Sequence, residues 1–250
     1  MIIFKNCYLF LLLYDKIIFG DIMLERIKNI FIFIGLFFLF LYKDLVYLIP
    51  FKYLSIDYDK LDVNTQVFYS LLSSLFVIII VVIIYHKYLK EKITDFIKNF
   101  GKRVDPAFKY YMFGLIIMLV SNFLIMKLSP IDQANNEQLI QEMLRKAPIL
   151  TFITATFTAP FLEEMLFRKS LGDIFKNKKI MIFVSALVFG LLHVVFSLET
   201  PWDFLYIVPY GALGWGFASA LAKTDNIFST ITAHSIHNTI ALLVYLRGIR

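Results

Sequence analysis

Seven long apolar segments, separated by short polar stretches, constrain the fold of this chain more than any other feature. A helix needs about 20 apolar residues to cross the hydrocarbon core of a bilayer. The segments are continuous and lack the alternating polarity of the strands in a membrane β-barrel. The sequence therefore predicts an all-α, polytopic transmembrane helical bundle, with spans at about residues 27–42 (with an extension to 49 as an alternative), 67–85, 110–126, 147–168, 180–198, 204–222 and 226–246.

Residues 8–19 raise the question of an eighth span, because they are apolar apart from Asp15 and Lys16. They are equally consistent with an upstream extension of a native chain that starts at Met23, and both alternatives stay open. They lack a small-residue cleavage site, so we do not assign a signal peptide. The expected bundle has about seven to eight spans.

The charge distribution points to membrane topology rather than to nucleic acid. The chain is 59% hydrophobic and 18% charged, with a formal net charge of +6, whereas a soluble domain is about a quarter charged. Residues 86–109 and 168–179 each carry +4, whereas residues 43–66 carry −1 and residues 199–203 carry −2. Cationic loops stay in the cytoplasm. We therefore expect a multi-pass protein in a plasma membrane. Its expected partner is the lipid bilayer, and we expect it to bind no nucleic acid.

Ionisable side chains inside the last four apolar segments are the candidate functional residues. Glu163, Glu164 and Arg168 lie in one segment, and His193 and His234 lie in two others. An ionised side chain at a bilayer centre costs about 3 kcal/mol, so such residues are functional candidates by default.

Helix arithmetic predicts that these groups meet. Glu163 precedes Lys178 by fifteen residues and His193 follows it by fifteen, so in an antiparallel hairpin both lie about 20 Å from the turn. His234 lies about 15 Å from the next turn by the same rise. Three helices would thus deliver polar groups to one layer.

Spacing within each helix predicts further contacts. Glu164 and Arg168 are four residues apart, in the favourable order for an ion pair. Phe189 shares a face with His193, and Asn238 shares one with His234. Two more features shape the helices: Pro160 predicts a kink before the acids, and small residues including Gly190, Gly211, Gly214 and Gly216 predict close helix approach.

Two chemistries fit such a set of residues. A carboxylate and a neutral imidazole can remove a proton from water as it attacks a carbonyl, while a second histidine and an amide stabilise the oxyanion. Alternatively, Glu163, His193 and His234 could hold a metal such as Zn²⁺ that activates the water. Both routes lead to hydrolysis of an amide, and the choice stays open.

Three motifs in order resemble those of the CPBP family, the CAAX proteases and bacteriocin-processing proteins also called the Abi family. Its Glu-Glu-x-x-x-Arg motif resembles residues 163–168, its Phe-x-x-x-His motif residues 189–193, and its His-x-x-x-Asn motif residues 234–238. The resemblance divides the chain into N-terminal transmembrane helices and loops at 1–146 and a CAAX protease-like catalytic core at 147–246.

The resemblance implies an intramembrane endopeptidase. It implies that Glu163 and His193 activate water and that His234 and Asn238 support the oxyanion, with Glu164, Arg168 and Phe189 in supporting roles. His237 falls outside the motif and lies about 60° from His234 on a helix, toward a neighbouring groove. The family is often described as metal-dependent, but a metal-free Glu/His mechanism is equally open. The expected substrate is a peptide or protein, lipidated or membrane-bound, cut near the cytoplasmic side.

Two other classes of function stay open. The chain could be a non-catalytic membrane scaffold or regulator of the cell envelope or of bacteriocin immunity, although such a protein would not need a water-activating pair. It could also be an ion-coupled transporter, although the sequence lacks the internal symmetry usual in transporters. A short chain with basic loops is most consistent with a bacterial plasma membrane.

Overall fold

The computed structural model describes residues 23–248, and all regular structure in this part of the chain is helical. We number the helices α1 to α9. Their bounds are α1 Met23–Leu41, α2 Leu45–Tyr53, α3 Val63–Lys98, α4 Phe100–Leu128, α5 Asn135–Lys146, α6 Pro148–Ile174, α7 Lys178–Val195, α8 Ile207–Thr224 and α9 Ile227–Gly248.

Six of these helices are long and apolar enough to cross a membrane, namely α3, α4, α6, α7, α8 and α9. Helices α1 and α2 together make a seventh candidate, bent by 50° between them. The all-α polytopic bundle predicted from the sequence is therefore confirmed, with six to seven spans in the described part. The proposed eighth span at 8–19 lies outside the described residues.

The segment expected to be a cationic loop at residues 86–109 is largely helical. Helix α3 has 36 residues, about 54 Å at the standard rise, so it is much longer than a bilayer core of about 30 Å. Its backbone leaves helical geometry at Tyr85 and then continues to Lys98, and α4 begins at Phe100. Apolar length marks only the part of a helix that lies in the hydrocarbon core, which is why the sequence prediction stopped at residue 85.

Small residues bring three of the spans into close contact, as predicted. A Cβ atom on Gly190 of α7 would lie 2.8 Å from the carbonyl oxygen of Ile207 in α8, and one on Gly216 of α8 would lie 2.9 Å from the carbonyl oxygen of Tyr110. Helices α4, α7 and α8 therefore pack backbone to backbone, and this packing fixes α7 and α8 beside the polar residues of α6.

Helix α6 departs from α-helical geometry on both sides of its two acids. It contains π-helical turns at Thr154–Thr158 and Met165–Ser170, with the α-helical turns Ala159–Glu164 between them. Pro160 has no amide to donate within the helix, and π turns often occur at functional sites. The kink predicted at Pro160 stays a prediction, and the π turns on both sides affect the rotation at which Glu163 and Glu164 leave the helix.

Candidate active site

Glu163 lies between two histidines from different helices. Its Oε2 atom is 3.9 Å from His193 Nε2 of α7 and 3.8 Å from His234 Nε2 of α9. Oε2 is buried and has no hydrogen-bond partner among the described residues. The three helices thus bring one carboxylate and two imidazoles to a common point, as the helix arithmetic predicts.

Glu164 faces the other way and belongs to a buried ionic cluster. Its Oε2 atom lies 3.3 Å from Arg168 Nε, and both side chains are fully buried. Its Oε1 atom accepts a hydrogen bond from His234 Nδ1 at 2.9 Å. The ion pair predicted from the i,i+4 spacing is confirmed, but the sequence did not predict that Glu164 also orients a histidine.

Arg168 is held by the protein on several sides. Its guanidinium group lies 4.3 Å from the ring centre of Phe189. At this distance the face of an aromatic ring attracts a cation. The guanidinium group also donates a long hydrogen bond of 3.4 Å to the carbonyl oxygen of Gly214. Arg168 therefore ties α6 to α7 and α8 while it offsets the charge of Glu164.

The two histidines differ in the partner of Nδ1. His193 Nδ1 donates to the backbone carbonyl oxygen of Phe189 at 2.9 Å, whereas His234 Nδ1 donates to the carboxylate of Glu164. Nδ1 is the donor in both rings, and both Nε2 atoms lie within 3.9 Å of Glu163 Oε2. A carboxylate fixes one ring and a backbone carbonyl fixes the other, so the two rings are suited to different roles.

Aromatic rings enclose both histidines. Phe189 packs against His193 with ring centres 4.2 Å apart, which confirms the face shared by these residues. Phe217 stacks on His234 at 4.6 Å, and Tyr210 stacks on the other histidine at 4.7 Å. Tyr210 was missed in the sequence, because an aromatic residue in an apolar helix gives no signal of a polar neighbour.

Asn238 and His237 lie farther along α9. The Asn238 amide donates to the carbonyl oxygen of Ala155 at 2.8 Å, in the first π turn of α6, so one of its two N–H groups is already used. His237 Nδ1 lies 3.4 Å from the hydroxyl of Tyr111. His237 lines the same cavity as Glu163, so the expectation of a separate groove for it is wrong.

A cavity of about 610 Å³ leads to this site. Glu163, Phe189 and His234 line it, and its wall also includes residues of α5 such as Glu137 together with residues 132–134. Among the described residues that line it, none comes from the cationic segments 86–109 and 168–179. The lining residues therefore come from the ends of the helices opposite those segments. The side of the membrane at which a peptide is cut stays a prediction.

The donor set fits a metal in type. Glu163 and two histidine Nε2 atoms are ligands that Zn²⁺ prefers, and Nδ1 partners such as Glu164 are usual behind metal-bound imidazoles. As they stand, no three His, Cys, Asp or Glu side chains in residues 23–248 are arranged as a metal site. The separations of 3.8 and 3.9 Å exceed the about 3.4 Å between ligands of a tetrahedral zinc ion. The metal therefore stays a prediction.

Residues 145–240 match the Rce1-like family, described as type II CAAX prenyl endopeptidase Rce1-like. The matched residues include all three motifs and the whole ionic cluster. The match confirms the resemblance predicted from the motifs, and it supports a CAAX-type intramembrane protease at the level of the family.

Three bacterial relatives extend the similarity beyond the motifs. The chain is 28% identical over 184 residues to UPF0177 protein YvdC of Lactococcus lactis, covering 72% of this chain and 68% of the relative. It is 26% identical over 158 residues to the "Putative membrane peptidase YdiL" of Bacillus subtilis, covering 62% and 55%. It is 27% identical over 150 residues to UPF0177 protein YxdF of Lactococcus lactis, covering 57% and 80%.

The aligned region thus spans little more than half the length of YdiL. No solved structure matches this chain. The helices and the relatives together confirm the expectation of a multi-pass membrane protein of bacterial type.

Proposed function

We propose that this chain is an intramembrane endopeptidase that hydrolyses a peptide bond with water activated by Glu163 and His193. One observation carries the proposal: a carboxylate oxygen lies within 3.9 Å of two imidazole nitrogens in the wall of a large cavity. The family match supports the reaction class, and the substrate class is a peptide or a protein segment that reaches into the membrane, with lipidated peptides included.

The water-activating step follows from the hydrogen-bond partners of the two residues. A water between Glu163 Oε2 and His193 Nε2 donates a hydrogen bond to each acceptor. When the water oxygen attacks the scissile carbonyl carbon, its proton moves to Glu163, which later delivers that proton to the leaving amine. His193 Nε2 can accept because its Nδ1 carries the proton that is donated to Phe189.

The oxyanion step uses the other histidine. In this step an Nε2–H of His234 donates to the developing oxyanion, and the Glu164 carboxylate holds the Nδ1–H of the same ring. Arg168 offsets the remaining negative charge of the two glutamates. The second N–H of Asn238 is a candidate additional donor on the same wall.

A metal ion would be held by Glu163, His193 and His234. When bound, Zn²⁺ would lower the pKa of its water toward neutrality. In that case Glu164 acts as the partner that orients His234 and raises its basicity.

The test compares the peptides released by cells that carry the wild-type protein, Glu163→Gln or Glu142→Gln. Glu163→Gln keeps the size of the side chain but removes the base. Glu142 is an exposed glutamate paired with Lys146 on α5, so its variant is a matched control. We expect products that disappear in Glu163→Gln and persist in Glu142→Gln. Unchanged profiles, or full complementation by Glu163→Gln, would instead favour a regulatory protein.

A further inference from the structure

The wall of the cavity carries negative charge and no fixed positive charge. Among the described residues that line it, four are carboxylates and none is lysine or arginine. Asp44 is neutralised by Lys43 at 2.9 Å, and Glu163 belongs to the proposed catalytic pair. The remaining two, Asp132 and Glu137, line the cavity and form no salt bridge with a described residue.

Glu137 is the more informative of the two because it is half-buried. Its carboxylate accepts one hydrogen bond, from Gln141 at 3.2 Å. Burial raises the pKa of this carboxyl above its usual range, and the hydrogen bond from Gln141 only partly opposes the rise. A half-buried carboxylate costs free energy unless a cation meets it.

Buried hydroxyl groups along the same wall also lack partners. Tyr206 is 4% exposed and Thr151 is 5% exposed, and neither hydroxyl has a hydrogen-bond partner among the described residues. Both line the cavity. Buried polar groups are nearly always hydrogen-bonded, so these two hydroxyls point to a ligand that supplies carbonyl and amide groups, as a peptide main chain does.

The position of the opening defines the side from which such a ligand comes. The cavity is lined by α5, by the start of α3 and by residues 132–134, and all of these lie opposite the two segments that carry +4 each. Because cationic segments stay in the cytoplasm, the opening faces the other side of the membrane.

We propose that the cavity binds a positively charged peptide segment presented from the non-cytoplasmic side, with a lysine, an arginine or a free amino terminus against Glu137. This proposal rests on the proposed peptidase function and specifies its substrate class. The peptide main chain meets Tyr206 and Thr151 on its way to Glu163. The substrate is therefore an exported or outward-facing segment.

Access to the cavity is tested first, by cysteine labelling. In a Cys7→Ser background, which removes the lone cysteine of the sequence, Thr154→Cys places a thiol on the cavity wall. Lys176→Cys places one in the exposed part of the cationic segment. A membrane-impermeant maleimide added to spheroplasts should label Thr154→Cys and leave Lys176→Cys unlabelled until the membrane is permeabilised. Labelling of Thr154→Cys only after permeabilisation, or under neither condition, overturns the proposal.

Charge recognition is tested by protection of that thiol. A lysine-containing peptide should slow labelling at about tenfold lower concentration than the same peptide with glutamine, as expected for one charge-assisted hydrogen bond. Glu137→Gln should abolish the difference, and Glu142→Gln on the same helix should preserve it. Equal protection by both peptides, or a difference that survives Glu137→Gln, overturns the proposal.

These measurements do not depend on turnover. An inactive protein whose cavity thiol is still protected by the lysine peptide would end the peptidase assignment and leave the binding proposal standing. A peptidase that cuts only peptides supplied from the cytoplasmic side would do the reverse.

Discussion

Removing the charge of Glu164 should destabilise the protein more than removing the charge of Arg168. The two side chains form a fully buried pair at 3.3 Å. In Glu164→Gln the guanidinium group keeps its charge and loses its only carboxylate among the described residues. Its remaining contacts are the ring of Phe189 and the carbonyl oxygen of Gly214, which do not neutralise it.

Breaking one side of a buried pair costs about 3–5 kcal/mol, which corresponds to a factor of roughly 10² to 10⁴ in the folding equilibrium. In Arg168→Met the carboxylate of Glu164 still accepts the hydrogen bond from His234 Nδ1 at 2.9 Å, so it keeps one polar partner. We therefore expect a loss of about 1–3 kcal/mol for Arg168→Met, the range for a hydrogen-bonded group that loses one partner.

The measurement is the SDS concentration that unfolds half of the protein in mixed micelles, followed by tryptophan fluorescence. Glu164→Gln combined with Arg168→Met should be more stable than Glu164→Gln alone, because no unpaired charge remains. The double variant should nevertheless have low turnover, because His234 has lost the carboxylate that holds its Nδ1–H. Additive losses, or a Glu164→Gln variant as stable as the wild type, would refute the buried-pair account.

Three further predictions test the packing, the cavity and the metal. Gly114→Ala should lower the SDS midpoint, because its Cβ would lie 2.6 Å from a backbone oxygen of α8. Gly35→Ala is the control: its Cβ meets nothing within 4 Å, so the midpoint should stay the same or rise. Equal midpoints for the two variants would contradict the close contact. Burial raises the pKa of Glu137, so at pH values above the ordinary glutamate pKa of about 4.3 its ionised form opposes folding. Glu137→Gln should therefore raise the thermal midpoint at pH 7, and this gain should vanish below pH 4. A lower midpoint at pH 7 would contradict this. If Zn²⁺ takes part, a chelator should abolish cleavage and stoichiometric Zn²⁺ should restore it, and full activity in the chelator would support the metal-free route.

The sequence predicted most of the fold because apolar length and charge are local properties. Lipid-length segments locate the helices, and the i,i+4 spacing of Glu164 and Arg168 predicts their ion pair. Helix rise alone predicts that Glu163 and His193 meet, because both lie fifteen residues from one turn.

Other features depended on contacts that no local pattern reveals. The role of Glu164 toward His234 follows from the rotation set by two π turns, which propensities do not indicate. Tyr210 and Glu137 reach the cavity only through the packing of α8 and α5. The helix ends that line the cavity likewise depend on where α5 packs, so the sequence did not predict which residues form its wall.

Turnover of a released peptide by the purified protein in proteoliposomes tests most directly whether Glu163 and His193 act as one unit. Glu163→Gln and His193→Ala should each lower kcat/KM by about 10³-fold or more, and the double variant should be no worse than the poorer single variant, because groups that act together are not additive. Wild-type turnover in either single variant, or losses that multiply in the double variant, would contradict a shared activated water.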